Sequence, residues 1–367
     1  MRVPPFVMER WQSTYEHTVD YNLSESGVEP LSFAEIVELT GFDPGPLALG
    51  YCQSNGSAEL RRHIAGLYPG TGPENVLVTT GGAEANFLAL WRLLSPGDRV
   101  VVLAPTYGQT AGLAEGLGAT VGTFCLEESR EWQPAPGGAR AAITPGTRLV
   151  VVTNPSNPTG AVLAEEAVEE IVEECRESGA WLLADEVYAG AELEGPPTPS
   201  LWGRHERTVI TNSLSKAYGL PGLRVGWAIA PAKLVSELWA RKDYTTIAPS
   251  AVSEALAARV LRAGVRERVI ERTREIIRAN LGLLMEWIDG HGDALFCHPP
   301  RAGAICYIRY ARDANSSELA ERLRREQSVL VVPGDHFGMD GYLRIGFGIA
   351  AKDLERGLQR MERVMFE

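Results

Sequence analysis

The chain has 367 residues, which at roughly 150 per domain allows two to three domains and a large core. Hydrophobic residues make up 45% and charged residues 22%, which excludes a disordered chain. Acidic residues (47) outnumber basic ones (35), and the net charge of -12 counts against a general nucleic-acid binder.

Residues 1–45 hold Pro/Gly turns and one short helix, Ser32–Leu39, and are expected to form an arm folding back onto the C-terminal part. From about residue 75 to 230, short β-branched runs alternate with helical patterns. The strand candidates are Val76–Thr80, Arg99–Ala104, Thr120–Leu126, Arg148–Thr153, Trp181–Ala184, Thr208–Thr211 and Val225–Ala230. Helical patterns cover Glu84–Leu94, Tyr107–Leu117 and Ala164–Ser178. Continuous apolar strands alternating with helices predict an α/β fold with a mostly parallel, seven-stranded sheet covered on both faces. Ligands in such sheets bind beyond the carboxyl ends of the strands. After Pro249 the pattern changes. Ser250 to about Ile288 reads as one long helical region, followed by strands at Ala304–Tyr310, Val329–Val332 and Leu343–Phe347 and a final helix, Lys352–Met365. The expected division is an arm at 1–45, a large domain at 46–250 and a smaller α+β domain at 251–367.

No apolar run approaches the ~18 residues of a membrane span. The N-terminus has no apolar stretch before Glu9 and Arg10, so no secretory signal is visible and a cytoplasmic protein is expected. Five scattered cysteines without a CxxC read as reduced, mostly buried thiols.

Only four of the 35 basic residues are lysines: Lys216, Lys233, Lys242 and Lys352. Chemistry that needs an amine nucleophile therefore has four candidates. Lys216, in TNSLSKAYGLPGLRVGW, follows a predicted strand and is flanked by Ser213, Ser215, Gly219, Gly222 and Arg224. A lysine near another cation in a partly dry site has a lowered pKa and can act as a Schiff-base nucleophile. An ordinary surface turn is the alternative, and these surroundings weaken it. The other three lysines sit in charged helical stretches and read as solvated.

Asp185 closes the apolar strand of WLLADEVYAG and needs a cationic or hydrogen-bonding partner there, a metal pair with Glu186 or a helix cap being the other readings. Tyr188 can offer a phenol to the same pocket. NPSNPTG at 154–160 follows another strand; its two Asn-Pro steps and Gly160 force a pre-organised turn whose asparagine can hold a ligand oxygen. TTGGAEA at 79–85 runs from a strand through glycines into a helix, an arrangement that cradles phosphate but is weak by itself. It matches neither the dinucleotide nor the P-loop pattern. Arg344, on a late strand in YLRIGFG, suits a carboxylate bidentately, although a lone strand arginine is as readily structural.

Together NPSNPTG, DEVY and SLSKxxGLPGLRVGW, in this order and spacing, resemble the class I/II aminotransferases, pyridoxal-phosphate (PLP) enzymes of fold type I. The resemblance runs from about residue 21 to 348. It implies a PLP Schiff base on Lys216, which also shuttles the substrate proton, and a pyridine nitrogen paired with Asp185. Asn157 and Tyr188 would bond the ring oxygen, and Tyr107 would stack on the ring. Gly82, Ala83, Ser213, Ser215 and Arg224 would hold the phosphate. Tyr51 would reach the phosphate of a partner subunit, making a homodimer with composite sites. Arg344, with Gly27 and Asn157, would bind the substrate α-carboxylate.

The implied activity is transfer of the α-amino group of an amino acid to a 2-oxo acid. A narrower likeness, carried by SESGV (24–28), LVSEL (234–238) and KDY (242–244), is to the capreomycidine synthases, which eliminate a β-substituent from a hydroxyarginine and cyclise the product. That keeps PLP-dependent elimination, replacement or cyclisation as the alternative. A non-catalytic PLP-binding regulator is a third reading, disfavoured because there is no room before residue 20 for a DNA-binding domain. The substrate side-chain pocket is expected from loops near 10–30, 107–110 and 244–250. Arg10, Glu25, Tyr244 and Arg301 are candidates there, each as readily structural or surface.

Overall fold

A computed structural model describes residues 2–366. The strands are β1 (Tyr21–Asn22), β2 (Val76–Thr79), β3 (Arg99–Ala104), β4 (Thr120–Glu127), β5 (Gln133–Pro134), β6 (Thr147–Thr153), β7 (Trp181–Asp185), β8 (Thr208–Ser213), β9 (Gly226–Ile229), β10 (Leu295–Phe296), β11 (Ile305–Tyr310), β12 (Val329–Leu330), β13 (Val332–Pro333) and β14 (Tyr342–Gly346). The α-helices are α1 (Val7–Tyr15), α2 (Phe33–Thr40), α3 (Ala58–Ala65), α4 (Gly82–Leu93), α5 (Gln109–Gly116), α6 (Gly138–Ala142), α7 (Glu165–Ser178), α8 (Ala232–Lys242), α9 (Ala251–Val260), α10 (Val265–Asp289), α11 (Ser316–Gln327) and α12 (Ala351–Met365).

All seven expected strands form one sheet, in the order β2-β9-β8-β7-β6-β3-β4, with the two-residue β5 added at the edge. Strand β9 runs antiparallel between β2 and β8, and the other six long strands are parallel. The apolar runs are continuous because both faces are covered. Val101, Val150, Leu182 and Ile210 face a core shared with α7, α9 and α10. Their neighbours Val100, Val151, Leu183 and Val209 face a second core, shared with α4 and α8 through Leu88, Leu93, Leu234 and Leu238. Truncating a fully buried leucine such as Leu183 to alanine would cost about 2–5 kcal/mol.

The C-terminal part forms an antiparallel sheet, β10-β11-β14-β13, with α10, α11 and α12. The long helical region splits in two. Leu261–Gly264 separates α9 from α10, and Gly264, the residue just before α10, takes a positive φ of 81° through which one continuous helix could not pass. The arm carries a helix, α1, that the sequence reading did not include. Its apolar residues Val7, Met8, Trp11 and Tyr15 do keep helical spacing, but over little more than two turns, with Val7 56% exposed and no side chain capping the start, so the signal was short and unbounded. The arm is tied to the C-terminal part: β1 pairs parallel with β12, and Trp11 Nε1 donates to the Val331 carbonyl at 2.9 Å. No helix is long and apolar enough to cross a membrane among the described residues.

Candidate active site

Parallel strands deliver their carboxyl ends to one edge of the sheet, and the chemistry-bearing residues follow them there. Strand β2 leads through Gly81 into α4, β6 into the Asn-Pro turn, β7 ends on Asp185 and β8 leads into Lys216. They line one cavity of about 360 Å3. Of the residues named from sequence, Gly82, Ala83, Tyr107, Asn157, Asp185, Tyr188, Ser213, Ser215, Lys216 and Arg224 all line it. Helix α1 supplies Met8, Glu9 and Gln12 to the same space, followed by Glu16, Glu25 and Ser26.

Lys216 Nζ donates to Glu25 Oε1 at 2.7 Å. Burial is the largest single influence and pulls the lysine's pKa down, but the Glu25 charge, Tyr188 and the Glu25 hydrogen bond together outweigh it and the net shift is upward. The same ion pair, helped by backbone N–H donors, holds Glu25 down to about 2. Glu25 was only one of several side-chain candidates in the sequence; here it touches the amine.

Asp185 is half-buried at the end of β7, and the loss of water around it pushes its pKa up against two donors. Val187 N–H donates to Oδ1 at 3.1 Å and Asn86 Nδ2 to Oδ2 at 2.9 Å. Asn86 is fixed in turn, since Thr211 Oγ1 donates to its Oδ1 at 2.7 Å. Asn86 was not singled out from sequence, yet a signal existed: it is a polar residue among the buried Ala85, Leu88 and Ala89 of α4. A carboxylate so placed is completed by a cation, and a protonated ring nitrogen answers that need.

The α4 N-terminus has no side-chain cap, so the first amides of Gly82 and Ala83 are left for an anion, as the helix dipole favours. Gly226 on β9 allows this turn to approach. A Cβ there would lie 2.3 Å from the Gly81 carbonyl carbon. Arg224 adopts a left-handed φ of 51°, a costly conformation for arginine, and its guanidinium reaches Gly81 and Ser215 Oγ. Ser215 N–H donates to Ser213 Oγ at 3.1 Å. Two hydroxyls, a guanidinium and free helix amides thus share one corner, which fits a phosphate.

Arg344 is 1% exposed and does not itself line the cavity. It stands behind the wall, donating from Nη1 to Asn157 Oδ1 at 2.9 Å and from Nη2 to the Ser24 carbonyl at 2.5 Å. Its Nε has no partner, and burial pulls its pKa down. A buried guanidinium with a spare donor and no paired carboxylate among the described residues fits an incoming carboxylate. Because Arg344 engages its carbonyl oxygen, the Asn157 amide group is left to donate elsewhere. Tyr107 donates its hydroxyl to Glu9 Oε1 at 2.8 Å and meets the edge of Phe6 at 4.8 Å, so its ring is held from α1. Burial and the Glu9 charge push its phenol far up.

Some expectations fall elsewhere. Gly27 is buried behind Lys216, and a Cβ there would lie 3.6 Å from its Cδ. Tyr51 is 92% exposed and lines no part of its own chain's cavity. Arg10, Tyr244 and Arg301 are exposed and outside it as well. Lys242, expected to be solvated, is fully buried and paired with Glu84 at 3.2 Å; the turn after α8 folds it under α4.

The family model for aminotransferases of class I and II matches residues 42–361. Capreomycidine synthase from Streptomyces vinaceus is 34% identical over 97% of this chain and 92% of its own. An aspartate aminotransferase from Streptomyces avermitilis is 32% identical over 80% of this chain and 74% of its own. Among solved structures, a PLP-dependent aminotransferase from Streptococcus suis superposes with a TM-score of 0.93 at 32% identity, covering 100% of this chain and 98% of the other. The PLP-dependent cyclase OrfR does so with a TM-score of 0.92 at 31% identity, with coverage of 100% and 98%.

Proposed function

Because the chain belongs to the class I and II aminotransferase family and takes pyridoxal 5'-phosphate as its cofactor, we propose that it moves the α-amino group of an amino acid to a 2-oxo acid, working from Lys216. When bound, the cofactor supplies an electron sink for the charge left at the substrate α-carbon. Gly82, Ala83, Ser213, Ser215 and Arg224 hold its phosphate. Asp185, steadied by Asn86, holds a positive charge at the ring nitrogen, and that charge offsets the cost of its own burial. The Asn157 amide and the Tyr188 phenol bond the ring oxygen, and Tyr107 covers the ring face. Arg344, through its unpartnered Nε, and Asn157 would hold and orient the substrate carboxylate. Lys216 takes that proton and returns it.

The observation that carries this reading is the meeting of the Lys216 amine and the Asp185 carboxylate, from the ends of different strands, in one cavity with an uncapped helix N-terminus. The same reading makes the working unit a homodimer. Tyr51 and Leu49, 92% and 81% exposed, stand ready for a second copy, whose phosphate Tyr51 would reach.

A second reading, elimination with cyclisation, is favoured by the charge of the cavity. Its lining carries Glu9, Glu16 and Glu25 against the cations Lys216 and Arg224, both of which have work at the cofactor. Such a wall suits a cationic side chain better than a second substrate carboxylate. An amino-acid panel decides between the two. Stoichiometric 2-oxo acid with conversion of the cofactor to pyridoxamine phosphate supports transfer. Loss of a β-substituent with the cofactor still an aldehyde supports the second reading.

A further inference from the structure

Glu25 comes from the arm, 191 residues before Lys216, yet its carboxylate sits on the lysine amine. Three donors converge on one oxygen: Lys216 Nζ at 2.7 Å, Ser26 N–H at 2.8 Å and Gly27 N–H at 2.9 Å. Two of the three are backbone groups, so the carboxylate is placed by the fold and not by a free side-chain swing. The segment itself is clamped to the C-terminal part, Gly346 N–H donating to the Leu23 carbonyl and Glu29 N–H to the Gly348 carbonyl, both at 2.7 Å. The clamp depends on glycine: a Cβ at Gly346 would lie 1.9 Å from the Glu25 carbonyl oxygen. An acid is therefore built in beside Lys216, the one lysine on the cavity wall among the described residues.

We propose that Glu25 is the positioning residue of Lys216: its carboxylate holds the free amine at the cavity wall as an ammonium ion and so sets the pH at which that amine becomes a nucleophile. The groups facing the amine are Glu25 from the arm, Tyr188 from the turn after β7 and Arg344 from β14. Glu25 and Tyr188 favour the ammonium; Arg344 and burial oppose it. Before the nitrogen can add to a carbonyl it must shed one proton, to Glu25 or to water, and the ion pair makes that loss harder. The inference rests on Lys216 being the attachment point for the cofactor.

The presence of only four lysines makes the test direct. The full chain, stripped of cofactor, is pulsed with acetic anhydride across neutral to alkaline pH, and acetylation of each lysine is read by peptide mass spectrometry. Lys233 and Lys352 are exposed references, and buried Lys242 reports whether the fold is intact. In Glu25→Gln the Lys216 midpoint should fall by at least about one pH unit, since an opposite charge at this range is worth one to three. In the holoenzyme, the pH at which the visible cofactor band shifts should fall in the same variant. An unchanged Lys216 midpoint with Lys242 still protected would overturn the proposal.

The wild-type chain gives a check that needs no variant. Its Lys216 should titrate at or above the exposed lysines despite burial, and a midpoint below theirs also overturns the proposal. Borohydride reduction followed by peptide mapping tests the underlying reading separately, because it reports whether the cofactor is on Lys216 whatever Glu25 does.

Discussion

Lys216 with Glu25 and Lys242 with Glu84 are both lysine–glutamate pairs, one half-exposed and one buried, and they are built for different ends. Around Glu84 both carboxylate oxygens accept two donors each. Thr80 N–H donates to Oε2 at 2.6 Å, Thr246 Oγ1 to Oε1 at 2.8 Å, and Thr245 Oγ1 also donates to Oε1. Lys242 is fully buried and shares Thr246 as well. Both oxygens of Glu84 are thus taken up within the protein, and the cluster pins the turn after α8 beneath the start of α4. At Glu25 the named donors fall on one oxygen, the side chain is 39% exposed, and the pair opens on the cavity. A satisfied pair is structural, whereas a pair with unused capacity beside a cavity is available to chemistry.

This contrast can be broken in four ways. Lys216→Ala should abolish the visible cofactor band and lower turnover by at least about 10⁴-fold, since it removes the amine itself. Activity surviving without added amine would show that the attachment point lies elsewhere. Asp185→Asn should retain the cofactor, seen as bound phosphate after gel filtration, while kcat falls on the order of 10³-fold. Turnover near wild type would remove the ring-nitrogen argument.

Lys242→Met should leave Glu84 buried without its cation and destabilise the protein by about 3–5 kcal/mol, read by equilibrium denaturation. Adding Glu84→Gln should recover part of that loss, because an amide leaves no charge unpaired. If the single variant costs nothing, the pair is not the anchor described here.

The smallest effect concerns Glu186, a buried acid with no cation beside it, pushed up to about 8 by burial and, more weakly, by Asp185. A raised carboxyl pKa contributes stability that is complete below the ordinary value of 4.5 and lost as pH rises through 8. Ser200 Oγ and Leu201 N–H donate to its Oε1, a pattern that glutamine can keep. Glu186→Gln should therefore flatten the fall in melting temperature between pH 6 and 9 by a few degrees, roughly the effect of a kilocalorie or two. Parallel curves for the two proteins would mean that Glu186 ionises without cost.

Much of the fold was legible in the chain. The seven β-branched runs between Val76 and Ile229 announced the large sheet because a strand covered on both faces must be apolar throughout, and that requirement is local. The Lys216, Asp185 and Asn157 motifs were legible for a related reason: each follows a strand directly, so position along the chain already places it at the carboxyl edge. Local sequence therefore determined the fold class and the half of the cavity built from strand ends, and the cofactor followed from the family resemblance that those motifs carry.

The other half was decided by tertiary packing. Glu25 and Glu9 come from the arm, where a charged residue looks like any solvated one, and although Arg344 was named from its strand motif, its burial behind Asn157 came only with the late sheet. Lys242 was misread for that reason: its helix is charged, and only the fold of the following turn takes it out of water. Which acid meets the amine depends on contacts spanning 191 residues, and no periodicity or spacing encodes a distance of that kind.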